Sequence, residues 1–300
     1  MNNRDERREM RDEKRMIDRR TFVGSVTAAL AAAGISPSLI SHLSSRIDKV
    51  GLELYTVRNL MKDDVDGTLA KVAAVGYREV EFAGYFNHAP ADIRAMIDRR
   101  GLTSPAAHFP FEAIGPGWDA VLDACHTIGH QWAVVAWIPA ERRKTADDWK
   151  RIAEQFNSTG AACQRAGVRF AYHNHDMEFQ PVEGRLPFDL LLENTDRAVV
   201  DFEMDLFWIT FGGAEPLSYF AKYPGRFPLV HVKDMATKPR PGIPPDSVMR
   251  DVGKGNIDWK RIFARSQQAG IQHYIVEHDT PGDAIASIAA SYEYLKSLDF

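Results

Sequence analysis

Four short segments in the C-terminal half of the sequence combine histidine with aspartate or glutamate. They are His173-Asn174-His175-Asp176 with Glu178, then Asp201, Glu203 and Asp205, then His231 with Lys233 and Asp234, and last Glu277 with His278 and Asp279. Imidazole and carboxylate groups bind divalent metals and transfer protons near neutral pH. Their recurrence predicts a site for metal-dependent or acid–base chemistry.

Side chains alternate along a β-strand, so residues two apart share a face. The sets so related are His173 with His175, Asp201 with Glu203 and Asp205, and His231 with Lys233. Carboxylates packed together repel one another and lose hydration, and a divalent cation relieves both effects. Imidazole with carboxylate suits Mn²⁺, Zn²⁺, Co²⁺ or Fe²⁺ better than Ca²⁺, and Mg²⁺ is retained as a further candidate.

Each of these residues also has a purely structural interpretation. A single histidine at a strand end is more often hydrogen-bonded in the fold than a ligand, and Asp201 or Glu203 could pair with Lys233 on the next strand. Taken alone, each has about even odds of a structural role, because ion-pair networks resemble active sites. The joint pattern favours a site, since four successive strands end alike.

Eight short β-branched or aromatic runs, separated by helical patterns, are expected to position these side chains. The strand candidates are residues 50–56, 78–82, 103–108, 131–137, 168–174, 198–204, 227–233 and 273–277. Helical patterns between them include 65–75, 91–100, 117–128, 146–165, 257–268 and 282–296. Repeated strand–helix units give parallel strands, and about 250 residues is the usual size of a (β/α)8 TIM barrel. The sequence therefore predicts one such α/β domain over residues 46–300.

An open doubly wound sheet is the rival architecture. It would place a glycine-rich turn after the first strand, where this chain has Thr56-Val57-Arg58-Asn59. In a barrel the active site forms at the C-terminal ends of the strands, which is where the four segments fall.

Composition limits the kinds of partner. The 300 residues are 45% hydrophobic and 26% charged, as in ordinary soluble proteins, and the formal net charge of −4 gives no basic field for nucleic acid. The two cysteines, Cys125 and Cys163, lack metal-binding or redox spacing. We therefore expect a small-molecule substrate, with a homo-oligomer left open.

Residues 1–45 are predicted to form a leader outside the barrel. The first fifteen residues are almost all polar or charged, which is typical of disorder. Arg19 and Arg20, just before Phe22, resemble the twin-arginine export motif, and the apolar stretch that follows is too short to span a bilayer. We expect a periplasmic or secreted protein; the alternative is a surface amphipathic helix with two chance arginines.

Seven segments resemble, in order, those of the sugar phosphate isomerase/epimerase family of xylose isomerase-like barrels. They are Leu54-Tyr55-Thr56-Val57-Arg58, Val80-Glu81-Phe82, the run from His173 to Phe179, Asp205-Leu206-Phe207-Trp208, His231-Val232-Lys233-Asp234, the run from Gly253 to Trp259, and Val276-Glu277. The resemblance spans about residues 49–298. It implies a divalent metal held by four residues of strands five to eight.

Carried over by position, the metal ligands would be Asp205, His231 and Glu277 with one group on the fifth strand. The family's sugar epimerases place a glutamate there, whereas this chain has His173 and His175. His175 is the preferred ligand because it is nearer the strand end. The replacement casts doubt on an epimerisation that uses two metal-bound glutamates.

The expected reaction is proton abstraction beside a carbonyl, through an enediolate stabilised by a Lewis-acidic metal. Glu277 or His173 would take the proton, and Lys233 would hold an oxyanion. A sugar isomerase or epimerase is the main expectation. The alternative is a lyase, dehydratase or hydrolase on keto-sugars such as 3-keto-glycosides or keto-inositols.

Further residues are expected to bind an unphosphorylated sugar or keto-sugar, because no glycine-rich phosphate nest follows the last strands. They are Glu81, His108, Trp137, Glu178, Trp208 and Arg250, the last in a long loop over residues 235–256. Two other classes stay open, a metal-dependent endonuclease on the same barrel and a non-catalytic sugar-binding protein. The net acidity argues against the endonuclease, and the intact strand ends argue against the binding protein.

Overall fold

A computed structural model describes residues 46–237 and 242–300 of the chain. The predicted leader, with Arg19 and Arg20, lies outside the described residues, as does part of the long loop over residues 235–256. Within the described ranges, no helix combines the length and apolar character needed to cross a membrane.

Eight strands form the centre of the molecule, and each coincides with a predicted strand to within a few residues. They are β1 (Val50–Glu53), β2 (Glu79–Glu81), β3 (Ala106–Phe109), β4 (Trp132–Val135), β5 (Arg169–His173), β6 (Val200–Asp205), β7 (Leu229–Val232) and β8 (His273–Val276). A separate antiparallel pair joins Asp234–Met235 to Met249–Arg250.

All pairings among the eight strands are parallel. Hydrogen bonds connect them in the order β2-β1-β8-β7-β6-β5-β4-β3. Isolated bridges join the two end strands, Glu79 to Thr103 and Phe82 to Ala107, and so nearly close the sheet. The predicted TIM barrel is confirmed, and its closure excludes the open doubly wound sheet.

Helices follow the strands on the outside of the barrel. They are α1 (Arg58–Asp63), α2 (Val65–Val75), α3 (Pro90–Arg99), α4 (Trp118–Ile128), α5 (Ala146–Arg165), α6 (Pro187–Asn194), α7 (Leu206–Phe211), α8 (Pro216–Lys222), α9 (Pro245–Val248), α10 (Trp259–Phe263), α11 (Ser266–Ala269) and α12 (Ala284–Ser297). The predicted helix over 257–268 is interrupted and forms α10 and α11. The other five predicted helices match α2, α3, α4, α5 and α12.

Small and apolar side chains fill the lower part of the barrel interior. A buried cluster separate from the main core consists of Ala106, Trp132, Val134, Ala171, Leu229 and Ile275. Because side chains alternate, His108, His173, His231 and Glu277 lie on the same face, two residues further along their strands. The apolar cluster is thus the floor on which the polar groups rest.

Helix α5 begins with a reciprocal capping box. The Thr145 hydroxyl accepts a hydrogen bond from the Asp148 amide, and the Asp148 carboxylate accepts one from the Thr145 amide. The buried face of α5 then packs Trp149, Ile152 and Phe156 against the sheet. Near its end, Gly160 comes so close to the carbonyl of Val199 that a β-carbon would collide with it.

We expect Gly160→Ala to lower the free energy of unfolding by about 1–3 kcal/mol, because the added methyl overpacks this contact. The higher helix propensity of alanine offsets at most about 1 kcal/mol of that loss. Urea denaturation measures the change. Ser158→Ala, at an exposed position of the same helix, is the control and should stay within about 0.5 kcal/mol of the parent. Equal stability of both variants and the parent would contradict the close approach.

Candidate active site

One carboxylate oxygen, Glu203 Oε2 on β6, is shared by three imidazole rings. His108 Nε2 lies 2.8 Å from it, His173 Nδ1 3.0 Å and His231 Nε2 3.3 Å. Glu203 is fully buried. The charge of this carboxylate holds the three rings together and turns the opposite nitrogens of His173 and His231 towards the mouth of the barrel.

His231 connects this inner layer to the barrel mouth. Its Nε2 lies 2.7 Å from Glu81 Oε2, and its Nδ1 lies 2.7 Å from Glu277 Oε2. The ring is fully buried. Burial disfavours the charged imidazole, but the Glu203 charge and the bonds to Glu277 and Glu81 outweigh it and raise the pKa of His231 well above its ordinary value.

Lys233 places a buried ammonium beside three carboxylates. Its Nζ lies 2.7 Å from Glu277 Oε2, 2.9 Å from Asp279 Oδ1 and 3.0 Å from Asp205 Oδ2. Burial disfavours the ammonium, but the three carboxylates outweigh it and raise the pKa of Lys233 well above its ordinary value. Lys233 therefore stays charged, and its partners are at the mouth rather than Asp201, which pairs with Arg169 instead.

The neighbours of each acid–base group at the site shift its pKa in a different direction. Burial would raise the pKa of Glu277, but Lys233 and His231 outweigh it and hold that pKa well below its usual range. Burial lowers the pKa of His173 to about 4, so this ring is neutral. For His108, the Glu203 carboxylate outweighs burial and raises the pKa. The mouth thus combines an ionised carboxylate with cationic and neutral donors.

Several buried ligand atoms converge at the mouth. Atoms of Asp205, His231 and Glu277 all lie within 4.8 Å of one another. His173 Nε2 and His231 Nδ1 lie 3.8 Å and 3.9 Å from Asp205 Oδ2. That oxygen makes no hydrogen bond within the described ranges, although Lys233 is near it. Neighbouring ligands of a transition-metal ion stand at about this spacing when each bond is about 2.0–2.3 Å.

Of the two fifth-strand histidines, His173 is the one with a ring nitrogen near Asp205, with Nε2 3.8 Å from Asp205 Oδ2. The alternation argument does not extend to His175, because β5 ends at His173. The His175 amide instead donates to Glu178 Oε2, and its ring lies 5.0 Å from that of His173, outside the groups of converging ligand atoms in the described ranges. His173 thus lies beside Asp205, and both His173 and His175 line the cavity at the mouth.

A cavity of about 380 Å³ opens above these groups, and its lining includes His108, Trp137, His173, Lys233 and Glu277. The other residues expected to bind substrate are placed elsewhere. They do not line this cavity: Glu81 and Glu178 are fully buried, Trp208 is covered, and Arg250 donates to the carbonyls of Ser247 and Met249.

Glu178 and Trp208 support the site from behind. The Tyr172 hydroxyl and the His175 amide both donate to the Glu178 carboxylate. Burial raises the pKa of Glu178 to about 7. The Trp208 ring lies 5.5 Å from Lys233 Nζ. These two residues hold the strand ends in place and have no direct path to a substrate in the cavity.

Sequence reasoning missed several residues of the site. Glu53 at the end of β1 joins Glu81, His108 and His231 in a second buried group of ligand-type side chains. The sequence feature that could have revealed Glu53 is the presence of a glutamate inside an otherwise apolar predicted strand. Asp279 was noted two residues after Glu277 but was given no role, and it contacts Lys233. Glu203 was noticed for its alternation, but not as the acceptor shared by three histidines.

Two proteins that are similar to this chain have different named activities. An inosose dehydratase of Lacticaseibacillus casei is 23% identical over 236 residues, which is 69% of this chain and 78% of that protein. A structure named as a sugar phosphate isomerase/epimerase from Parabacteroides distasonis is 27% identical, has a TM-score of 0.70, and aligns over 83% of this chain and 93% of its own.

A third structure, of the protein IolI with a bound zinc atom, has a TM-score of 0.66 at 16% identity over 82% of this chain and 95% of its own, which shows the shared fold alone. The model of the family described as "Xylose isomerase-like TIM barrel" matches residues 69–298. This range includes every residue of the site except Glu53 and the cavity residues Tyr55 and Arg58. With eight parallel strands closed into a barrel and polar side chains collected at their C-terminal ends, this chain belongs to the xylose isomerase-like TIM barrel family.

Proposed function

We propose that this protein is a metal-dependent dehydratase that removes water from a keto-inositol or a similar cyclic keto-polyol. The observation that carries the proposal is the unequal set of groups at the barrel mouth. One ionised carboxylate, Glu277, stands beside the ammonium of Lys233, and β5 contributes His173 where a second glutamate would be needed for symmetric epimerisation. The inosose dehydratase relatives support the same reaction class.

The donor set fits a divalent transition metal. Asp205, His231 and Glu277 would hold it, since their ligand atoms converge. His173, whose Nε2 lies 3.8 Å from Asp205 Oδ2, would be the fourth ligand. Such an ion would act as a Lewis acid on the substrate carbonyl and lower the energy of the enolate form. Two imidazoles with two carboxylates suit Mn²⁺, Co²⁺, Zn²⁺ or Fe²⁺, and the zinc-bound IolI has the same fold.

The chain's own residues supply the proton transfers. Glu277 takes the proton from the carbon beside the carbonyl, and the electron pair forms a carbon–carbon double bond as the hydroxyl on the next carbon leaves. His108, on the cavity wall and with a raised pKa, gives that hydroxyl a proton, so that water departs. Lys233 holds the negative charge that develops on the oxygen.

An isomerase or epimerase is the second candidate, favoured by the Parabacteroides distasonis structure with that name. It would use the same first proton transfer but would return the proton to carbon without loss of hydroxide. The positions of His108 and Lys233 favour elimination, because protonation of a leaving hydroxyl needs a donor separate from the base.

A rate comparison tests the proposal. The full chain, loaded in turn with Mn²⁺, Co²⁺ and Zn²⁺, is assayed with a keto-inositol and with a panel of aldoses and ketoses, and NMR identifies the products. We expect kcat/KM for water loss from the keto-inositol to exceed that for any interconversion in the panel. Faster interconversion of a ketose with its isomer would overturn the dehydratase in favour of the isomerase.

We expect Glu203→Gln to weaken metal binding by about 10- to 100-fold, because an uncharged amide cannot hold the rings of His173 and His231 in their ligand orientation. Competition with a fluorescent chelator measures the affinity, independently of turnover. Asp201→Asn is the matched control on the same strand, because its partners Trp132 and Arg169 lie at the other end of the barrel. Wild-type affinity in Glu203→Gln would show that Glu203 does not orient the ligands.

A further inference from the structure

Two large hydrophobic side chains are exposed among the described residues, and both lie at the mouth of the same cavity. Tyr55 is 41% exposed and Trp137 is 53% exposed. Both rings line the cavity above Lys233 and Glu277. Scattered exposed aromatics need no explanation, but two that share the rim of a reaction cavity indicate a binding surface for an apolar ring face.

Each ring is held in place by an arginine. The guanidinium carbon of Arg58 lies 3.9 Å from the centroid of the Tyr55 ring, and Arg58 also donates to the Tyr55 carbonyl at 2.8 Å. The guanidinium carbon of Arg143 lies 5.4 Å from the centroid of Trp137, and Arg143 donates to the Ile138 carbonyl at 2.8 Å. These contacts fix exposed rings before any ligand arrives, which lowers the ordering cost of binding.

The cavity above Lys233 and Glu277 continues into a second groove, so the open space extends beyond the groups that react. The cavity of about 380 Å³ falls in the range of sites for drug-sized ligands. A neighbouring groove of about 790 Å³ shares Arg58 and Thr280 with it and continues past Lys71 to the start of α12. A group attached to a substrate ring would pass Tyr55 and enter this groove.

We propose that the rim formed by Tyr55, Trp137 and Arg58 is an outer subsite for a second ring attached to the keto-polyol. The preferred substrate would then be a keto-polyol ring that carries a second ring, such as a glycosylated keto-inositol, and the free keto-inositol would be the minimal substrate of the same reaction. This inference rests on the proposed reaction at Glu277 and Lys233, which would act on the inner ring. The attached ring stacks its apolar face on the aromatics, and Asp246 and Arg58 face its hydroxyls from the cavity wall.

The test uses probes that share one reacting ring, keto-inositols in which a hydroxyl that does not leave carries a methyl, a phenyl or a glucosyl group. Calorimetry gives Kd for the metal-loaded full chain, and kcat/KM is measured alongside. Aromatic stacking contributes up to about tenfold for each ring. We expect the phenyl and glucosyl probes to bind at least tenfold more tightly than the methyl probe, and Trp137→Ala with Tyr55→Ala to abolish that preference.

Two controls isolate the rim. Trp137→Phe keeps an aromatic face and should retain most of the preference, whereas Gln155→Ala, in a groove on the outer helices, should leave it unchanged. Tighter binding of only one ring-bearing probe would support the subsite and identify the ring type. Equal affinity for all three probes would overturn the subsite, while water loss from a free keto-inositol would leave the proposed reaction standing. Failure of the free keto-inositol and of all three substituted probes to bind would overturn both.

Discussion

Glu277→Gln, saturated with Mn²⁺, is expected to bind the keto-inositol and lose turnover by about 10²–10⁴-fold. The amide keeps an oxygen that can coordinate weakly, but it has no basic lone pair near neutral pH. In the parent, Lys233 and His231 keep Glu277 ionised and able to accept the proton. The loss should therefore persist when more metal is added. Steady-state rates and calorimetric Kd values measure the two effects separately.

Solvent exchange distinguishes a base from a mere ligand. Wash-in of deuterium beside the substrate carbonyl should fall together with turnover in Glu277→Gln. Asp279→Asn is the matched control, since this carboxylate also contacts Lys233 and lines the cavity but lies outside the converging ligand groups of the described residues; it should lose less than about tenfold. If deuterium exchange in Glu277→Gln proceeds at the parent rate, Glu277 is only a metal ligand. His173 or His175 would then be the general base.

Lys233→Met should lower kcat/KM by about 10²–10³-fold, because it removes the fixed charge that stabilises the developing oxyanion. Methionine preserves the length and the packing of the buried stem but leaves Asp205, Glu277 and Asp279 without their shared cation. Circular dichroism establishes whether the variant is folded, and the rate assay follows. Lys254→Met, an exposed lysine paired only with Asp251 among the described side chains, is the control and should keep the parent rate. If Lys233→Met turns over at the parent rate, Lys233 does not stabilise the oxyanion.

The barrel could be predicted because its strands have a strong local signal. Runs such as residues 131–137 and 168–174 are apolar, β-branched or aromatic, and each is followed by a helical pattern. Helices α6, α7 and α8 were missed for different reasons. Helix α7 is apolar on almost every side because it lies under the loops at the mouth, so it shows no helical periodicity. Helices α6 and α8 each have fewer than nine residues, too few for the pattern to be distinct.

The site was predictable at the level of strands and less so at the level of atoms. Asp205, His231 and Glu277 come together because each lies within one residue of the C-terminal end of its strand. The choice between His173 and His175 depended on where β5 stops, and strand ends are the least certain part of a sequence reading. The role of Glu203 could not be predicted, because it depends on the distances to three histidines from three other strands.

The most direct test of the proposed chemistry is the mass of the product that the metal-loaded chain forms from a keto-inositol in deuterated water. We expect a product that has lost the elements of one water molecule and carries deuterium at the carbon that held the departing hydroxyl, because the carbon that Glu277 deprotonates becomes an enol carbon and then a carbonyl. A product with the elements of water retained, differing from the substrate only by exchanged deuterium and rearranged hydroxyls, would contradict the dehydratase and identify an isomerase or epimerase.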